Sequence, residues 1–351
     1  MKILYKGNVF NPTGMATANR EIVSALIKLG HQVQVVDPWN ENWEFNKGKE
    51  NWNNAIGIDK ETYTIFSDYP QYWREGYGKI SGHFLHEGTV LLPNWADMMN
   101  SVEKLYVPSE ATRNLFKWNG VTTPIKVIPY GTNPEIYNPL QERDDEEFIF
   151  LSVNSWTGQQ KDRKGTDILI KAFDEEFKDE KVKLVLKVST FWEKKELEYY
   201  VSAVLDLLGH TNPNILINSE YMPEKDLAEI YKVSDCFVSP TRGEAFGLTI
   251  LNAMACGLPV IVTKDRNSGH MDFCKGDSVL FIDAPKMEQA DMKFFAEGNM
   301  QPIPDKESLK KQMRYAFTHP ELKSRAIAKS DEIRETYTWE NTAKEIIKWI
   351  Q

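Results

Sequence analysis

Ser239-Pro240-Thr241-Arg242-Gly243-Glu244-Ala245-Phe246-Gly247-Leu248-Thr249-Ile250-Leu251-Asn252-Ala253-Met254-Ala255-Cys256-Gly257-Leu258-Pro259-Val260-Ile261 is the stretch whose reading decides the fold. A buried-type strand, Cys236-Phe237-Val238, precedes it, a Gly-containing loop turns the chain, a helix begins near Phe246-Gly247, and a second strand runs from Pro259 to Val262. Strand, helix and strand at this spacing make a βαβ unit, the element of a parallel sheet covered by helices. The first N–H groups of that helix have no intrahelical partner and carry the positive end of its dipole, which suits a phosphate or another anion. Glu244 is out of place there unless it has polar work of its own, such as accepting hydrogen bonds from sugar hydroxyls.

The same unit recurs outward along the chain. Upstream, strand Phe148 to Val153, a helix from Thr166 with Ile168, Leu169, Ala172 and Phe173 facing inward, and strand Val182 to Val188 open a series continued by Ile215-Leu216-Ile217 and Val279 to Ile282. In the first part, strand Ile3-Leu4-Tyr5, helix Ala16 to Leu29 stopped at Gly30, and strand Val33 to Val36 form another βαβ unit. Strands at Tyr63 to Phe66, Lys79 to Leu85, Leu105 to Val107 and Ile125 to Ile128 follow it. Between the two series, Asn138 to Glu147 is polar and charged apart from Leu140, and reads as a linker. Two doubly wound α/β domains are expected, 1–140 and 146–335, with the last helix, 339–351, able to pack back on the first. Ligands of such sheets bind beyond the carboxyl ends of the strands, so a site in a cleft between domains is expected. Lys286 to Pro304 has no clear period and reads as an insertion or loop.

The 351 residues suffice for two cores. With 42 Lys+Arg against 51 Asp+Glu the net charge is −9, which argues against a nucleic-acid partner, because clustered cations supply most of that affinity. Cys236, Cys256 and Cys274 show neither disulfide nor zinc spacing and read as reduced core thiols, pointing to the cytoplasm. The chain begins at once with a strand-like run, without the apolar core of a signal peptide, and no segment reads as a transmembrane span. A zinc site from His83, His86 and Glu87 lacks a fourth ligand and the helical spacing of metalloprotease sites.

The stretch Glu244 to Ile261 resembles the retaining glycosyltransferases of the group-1 family (glycosyltransferase family 4 type), which have the GT-B fold: two Rossmann-like, doubly wound parallel-sheet domains facing each other across a cleft. The resemblance implies that Glu244 holds hydroxyls of the donor sugar and that Ala245, Phe246, Gly247, Leu248 and Thr249 bind sugar and diphosphate. The family's second Glu, a ribose binder, is here Asn252. Exchanging a charged hydrogen bond for a neutral one loses on the order of 1 kcal/mol, somewhat under tenfold in affinity.

The loop Lys161-Asp162-Arg163-Lys164-Gly165 matches the family's cationic diphosphate clamp, with Lys164 at the Lys-Gly pair, Arg163 as the guanidinium and Lys161 in reserve. Asn11-Pro12-Thr13-Gly14-Met15 resembles the family's glycine loop, with Gly14 and Met15 donor-binding, while Gly131 and Asn133 border the cleft. His86, with His83 as runner-up, fits the histidine placed near the reacting carbon. The catalytic set implied is His86, Glu244, Arg163 and Lys164. An acceptor surface of Trp43, Tyr72 and Trp73 is expected from the aromatic-rich segments around them, while Trp95 and Trp118 read as core.

The resemblance implies a metal-independent, cofactor-free hexosyltransferase of glycan biosynthesis. Its partners would be a nucleotide diphosphate sugar and a glycan, lipid, protein or small-molecule acceptor. A noncatalytic nucleotide-sugar-binding relative or partner subunit, suggested by Asn252, and an epimerase of similar fold are the alternatives. A periplasmic-type binding protein would need an export signal and gives no reason for Gly243 to Gly247.

Overall fold

The computed structural model describes residues 1–38, 49–73, 76, 78–140, 147–156, 162–178, 180–188, 196–290 and 295–351. The chain forms two compact units, Met1–Gly131 with Phe294–Glu297 and Tyr337–Gln351, and Thr132–Lys293 with Gly298–Thr336. Part of the linker segment, 141–146, lies outside the described residues.

The first unit is built on strands β1 (Lys2–Gly7), β2 (Gln32–Val36), β3 (Tyr63–Ser67), β4 (Lys79–His83), β5 (Lys104–Val107) and β6 (Ile125–Val127). All pair in parallel, in the order β2-β1-β3-β4-β5-β6. Helix α1 (Gly14–Lys28) buries Ile22, Val23 and Leu26 on one stripe and ends before Gly30, whose φ of 86° favours glycine. Helices α2 (Trp95–Met99) and α3 (Glu110–Trp118) help build a second core around Phe84, Leu105, Leu115 and Phe116.

Trp95 is buried, whereas Trp118 is 68% exposed and corrects the core reading of that residue. It ends α3 off the stripe of Thr112, Leu115 and Phe116.

The second unit repeats the design. Its strands are β7 (Phe148–Asn154), β8 (Val182–Val188), β9 (Ile215–Asn218), β10 (Cys236–Ser239), β11 (Val260–Thr263) and β12 (Val279–Ile282), all parallel in the order β12-β11-β10-β7-β8-β9. Helices α4 (Thr166–Glu176), α5 (Leu197–Leu208), α6 (Glu224–Lys232) and α7 (Leu248–Ala255) make the crossovers. The core joins Phe150, Leu184 and Leu186 of the sheet to Leu169, Phe173, Tyr200, Leu309 and Met313.

Lys286 to Pro304 is not an unstructured insertion: β13 (Lys286–Gln289) and β14 (Met300–Ile303) form an antiparallel hairpin. Its period is obscured because each strand is only 4 residues long, although the register groups Met287, Met300 and Pro302 on one face and Lys286, Glu288 and Gln301 on the other, Gln301 donating to Glu288 at 3.1 Å. Helices α8 (Lys306–Thr318) and α9 (Glu321–Thr336) complete this unit.

Helix α10 (Trp339–Ile350) belongs to the first unit and packs against α1. The Trp349 indole donates to Leu105 O at 3.0 Å and the Thr342 hydroxyl to Pro129 O at 2.7 Å. A Cβ on Gly131 would lie 2.2 Å from Trp339 N, so glycine lets the chain pass against the start of α10.

Each sheet reverses its winding once, between β1 and β3 in the first unit and between β7 and β10 in the second. Such switch points open a crevice at the carboxyl ends of the strands.

Candidate active site

At the β7/β10 switch point two loops meet. Gly165 adopts φ 69° at the N-cap of α4, and a Cβ there would fall 2.0 Å from Pro240 O. Only glycine permits both the left-handed backbone and this approach. The result is a continuous platform: Arg242 N donates to Arg163 O at 2.7 Å and the Arg163 guanidinium to Gly243 O at 2.9 Å.

The buried Arg242 guanidinium donates to Asp162 O at 2.5 Å and to the Asp167 carboxylate at 3.1 and 3.4 Å. Its Nε lies 3.3 Å from Glu288 Oε1, tying the β13–β14 hairpin to the base of the platform. The Asp162 carboxylate accepts from the backbone N–H groups of Lys164 at 2.8 Å and Thr166 at 2.9 Å, so α4 carries its own anion at its N-terminus. Burial pushes the Asp162 carboxyl up to about 6, with neighbouring Asp167 adding to the shift and Arg242 opposing it.

On this platform the Lys164 ammonium donates to Glu244 Oε2 at 2.5 Å, with side chains 16% and 13% exposed. Burial pushes the Glu244 carboxyl up, but Lys164 and Arg163 together outweigh it and hold it below the usual range. Glu244 is therefore a carboxylate at neutral pH, a pure acceptor.

Three residues on, Gly247 stands at φ 103° as N-cap of α7, and no side chain among the described residues caps this helix. The Phe246 ring is buried and packs 5.2 Å from Phe273, so its side chain anchors the loop while the backbone turns. Ala245 is buried as well, and Leu248 and Thr249 open the helix. One turn along, Asn252 Oδ1 accepts from the Thr132 hydroxyl at 2.8 Å.

Two cations and an uncapped helix N-terminus, groups chemically suited to an anion, thus lie together with one carboxylate acceptor among them. The match to the model described as glycosyl transferases group 1 covers residues 137–331, more than half of the chain. The chain belongs to the group-1 glycosyl transferase family.

Similarity runs further. A putative glycosyltransferase of a Sulfolobus islandicus filamentous virus is 28% identical over 254 residues, 70% of this chain and 65% of that protein. A probable sucrose-phosphate synthase of Thermosipho melanesiensis is 27% identical over 235 residues, 65% of this chain and 47% of that protein. The chain thus spans about half to two thirds of these curated relatives.

Among solved structures, the sucrose-phosphate synthase of Thermosynechococcus elongatus superposes with a TM-score of 0.71 at 15% identity over 99% of this chain and 98% of that one. HepE of Anabaena, in complex with UDP-glucose, gives 0.70 at 13% identity over 100% and 99%. The two parallel α/β sheets share the GT-B fold of these structures.

The structure brings Arg163, Lys164, Glu244 and Gly247 together; Lys161 lies outside the described residues. Gly14, Met15, His86, Tyr72 and Trp73 belong to the first unit. Gly14 begins α1, and a Cβ there would meet nothing within 4 Å, so protein packing does not demand glycine at this position. The loop before it is held by Arg20, donating to Val9 O at 2.8 Å and Asn11 O at 2.5 Å, and by the Asp37 carboxylate, accepting from Val9 N and Phe10 N.

His83 is buried, hydrogen-bonded to the Ser67 and Tyr130 hydroxyls at 2.7 and 2.9 Å and stacked on Tyr106, and burial pushes its pKa down to about 3. It is a neutral core residue. His86 lies three residues beyond the end of β4, its ring against Trp95 at 5.3 Å and Phe295 at 5.2 Å.

Trp43 lies outside the described residues, and Trp73 is half-buried against its own unit. Its indole N–H donates to Asp68 O at 2.8 Å, its ring stacks on Phe66, and a Cβ on Gly82 would sit 2.3 Å from it. The ring fills the space a glycine leaves in β4. Tyr72, 43% exposed, remains on the surface.

Sequence reasoning passed over His270, in the turn after β11. Gly269 N donates to Glu244 O at 2.6 Å, which seats His270 beside the site. The available signal was a lone histidine just past the carboxyl end of a buried strand.

Proposed function

We propose that the chain is a retaining, metal-independent glycosyltransferase that moves a hexosyl group from a nucleotide diphosphate sugar to a hydroxyl acceptor. The observation that carries the proposal is the buried Lys164–Glu244 pair at the uncapped start of α7. The donor diphosphate would lie on the α7 N–H groups, with Lys164 and Arg163 stabilising the charge that develops as the glycosidic C–O bond breaks. Glu244, kept ionised, would accept hydrogen bonds from sugar hydroxyls. The acceptor hydroxyl would enter on the face the diphosphate leaves, giving retention without a covalent enzyme intermediate.

Asn252 would face the nucleotide with a weaker contact than a carboxylate gives, since its carbonyl oxygen already accepts from Thr132. His86, Gly14 and Met15 remain candidates for donor contacts and Tyr72 for the acceptor. The three free, buried cysteines support a cytoplasmic setting. The test is a thermal-shift series with UDP-, GDP- and ADP-sugars. A donor at 100 times its Kd should stabilise the protein by about 2.7 kcal/mol, and Glu244→Gln should lessen that response. No response from the wild type to any sugar nucleotide would overturn the proposal.

A further inference from the structure

His270 is fully buried in the short turn Gly269–Asp272, which follows β11. Its Nε2 lies 2.9 Å from Thr263 O. A carbonyl only accepts, so Nε2 carries the proton, and burial holds the ring's pKa down, leaving it neutral. Nδ1 is then a lone-pair acceptor. Among the described residues it has no hydrogen-bond partner. A buried polar atom left in this state calls for an explanation.

The surroundings supply one. A Cβ on Gly247 would lie 3.2 Å from His270 Cβ and 3.4 Å from Glu244 Cγ, so the three residues converge at the start of α7. The imidazole also feels the charges of both Glu244 and Lys164. We propose that His270 is a specificity-determining residue of this site, its Nδ1 accepting a hydrogen bond from a hydroxyl of the donor's glycosyl group. The inference rests on the sugar-nucleotide reading of the site.

A phosphate oxygen cannot fill this role, because it has no proton to donate at neutral pH and would face a lone pair. A hydroxyl can donate. With Glu244 beside it, also acceptor-only, the pair demands two hydroxyls from the sugar.

Two substitutions separate the two ring nitrogens. His270→Gln keeps an amide N–H at the reach of Nε2 for Thr263 O and removes the acceptor at the δ position. His270→Asn keeps a polar atom at the δ position and gives up the tie to Thr263. Calorimetric Kd values for UDP-, GDP- and ADP-glucose and for UDP, GDP and ADP, on the full chain with melting curves alongside, read the difference.

For the sugar nucleotide that binds, H270Q should weaken affinity about three- to tenfold, leave the matching nucleoside diphosphate unchanged and keep the melting midpoint. H270N should keep the ratio of the two affinities even where its midpoint falls. Unchanged sugar-nucleotide binding in H270Q, or equal weakening of both ligands, would overturn the inference while leaving the proposed function standing. Failure of wild type to bind any sugar nucleotide removes both. Should H270Q not fold, H270N decides: a preserved ratio supports the acceptor and a collapsed one refutes it.

Discussion

Replacing Lys164 with Met removes one partner of a pair 2.5 Å apart and leaves the Glu244 carboxylate beneath the surface. Breaking a buried pair from one side costs about 3–5 kcal/mol. The pair keeps some solvent contact and Arg163 still acts on Glu244, so the lower end, about 3 kcal/mol, is expected. At about 2–4 °C per kcal/mol for a unit of this size, the midpoint should fall by roughly 6–12 °C.

The sign of the pH dependence distinguishes this cause from a lost packing contact. In wild type the Glu244 pKa is held below its unfolded value, so the pair's contribution is present above the unfolded pKa and lost as pH falls through the folded one. In K164M burial becomes dominant and raises the folded pKa above the unfolded one. The native variant then holds a proton the unfolded chain lacks, and its stability falls as pH rises through that raised pKa.

Urea unfolding followed by circular dichroism should therefore show a deficit that is full at about pH 7.5 and much smaller at about pH 5. Adding Glu244→Gln should flatten that difference. An equal deficit at both pH values would refute the electrostatic account of the site. Transfer activity should fall about 10²–10³-fold in the same variant, as for loss of one charge-stabilising donor.

Gly247→Ala places a side chain at φ 103° and 3.2 Å from His270 Cβ, and should cost about 1–3 kcal/mol in unfolding experiments while abolishing the sugar-nucleotide thermal shift. Trp73→Ala should destabilise the chain by about 3–5 kcal/mol by opening the space over Gly82. Tyr72→Ala should leave the melting midpoint unchanged and raise the acceptor KM in steady-state kinetics. Asp162, whose folded pKa is pushed up to about 6, makes the native state hold a proton the unfolded chain releases, so stability drops as pH rises from its unfolded pKa through about 6. Asp162→Asn should flatten that part of the stability profile measured by urea titration.

Both βαβ series were legible because strand and helix periods differ and because glycines mark their boundaries. Glu244 and Lys164 were legible as motif positions 80 residues apart. Their contact was not, since it depends on Gly165 passing so close to Pro240 that a Cβ would fall 2.0 Å from Pro240 O. Local sequence does not encode such an approach.

The tryptophans show the same limit. Trp73 is packed because β4 has a glycine opposite it, while Trp118 is exposed because it ends its helix off the buried stripe. The 286–303 hairpin escaped notice because its strands are only 4 residues long, too short for their alternation to stand out, and its polar face meets Arg242. His270 resembled any polar-loop histidine until β11 placed it against Glu244.

The central claim is tested most directly by the anomeric form of the sugar first released when the protein is incubated with its bound α-linked sugar nucleotide in water, followed by proton NMR before mutarotation. Retention predicts the α anomer, formed by wild type and not by K164M. Release of the β anomer, or an intact donor on a protein that binds it, would contradict the account.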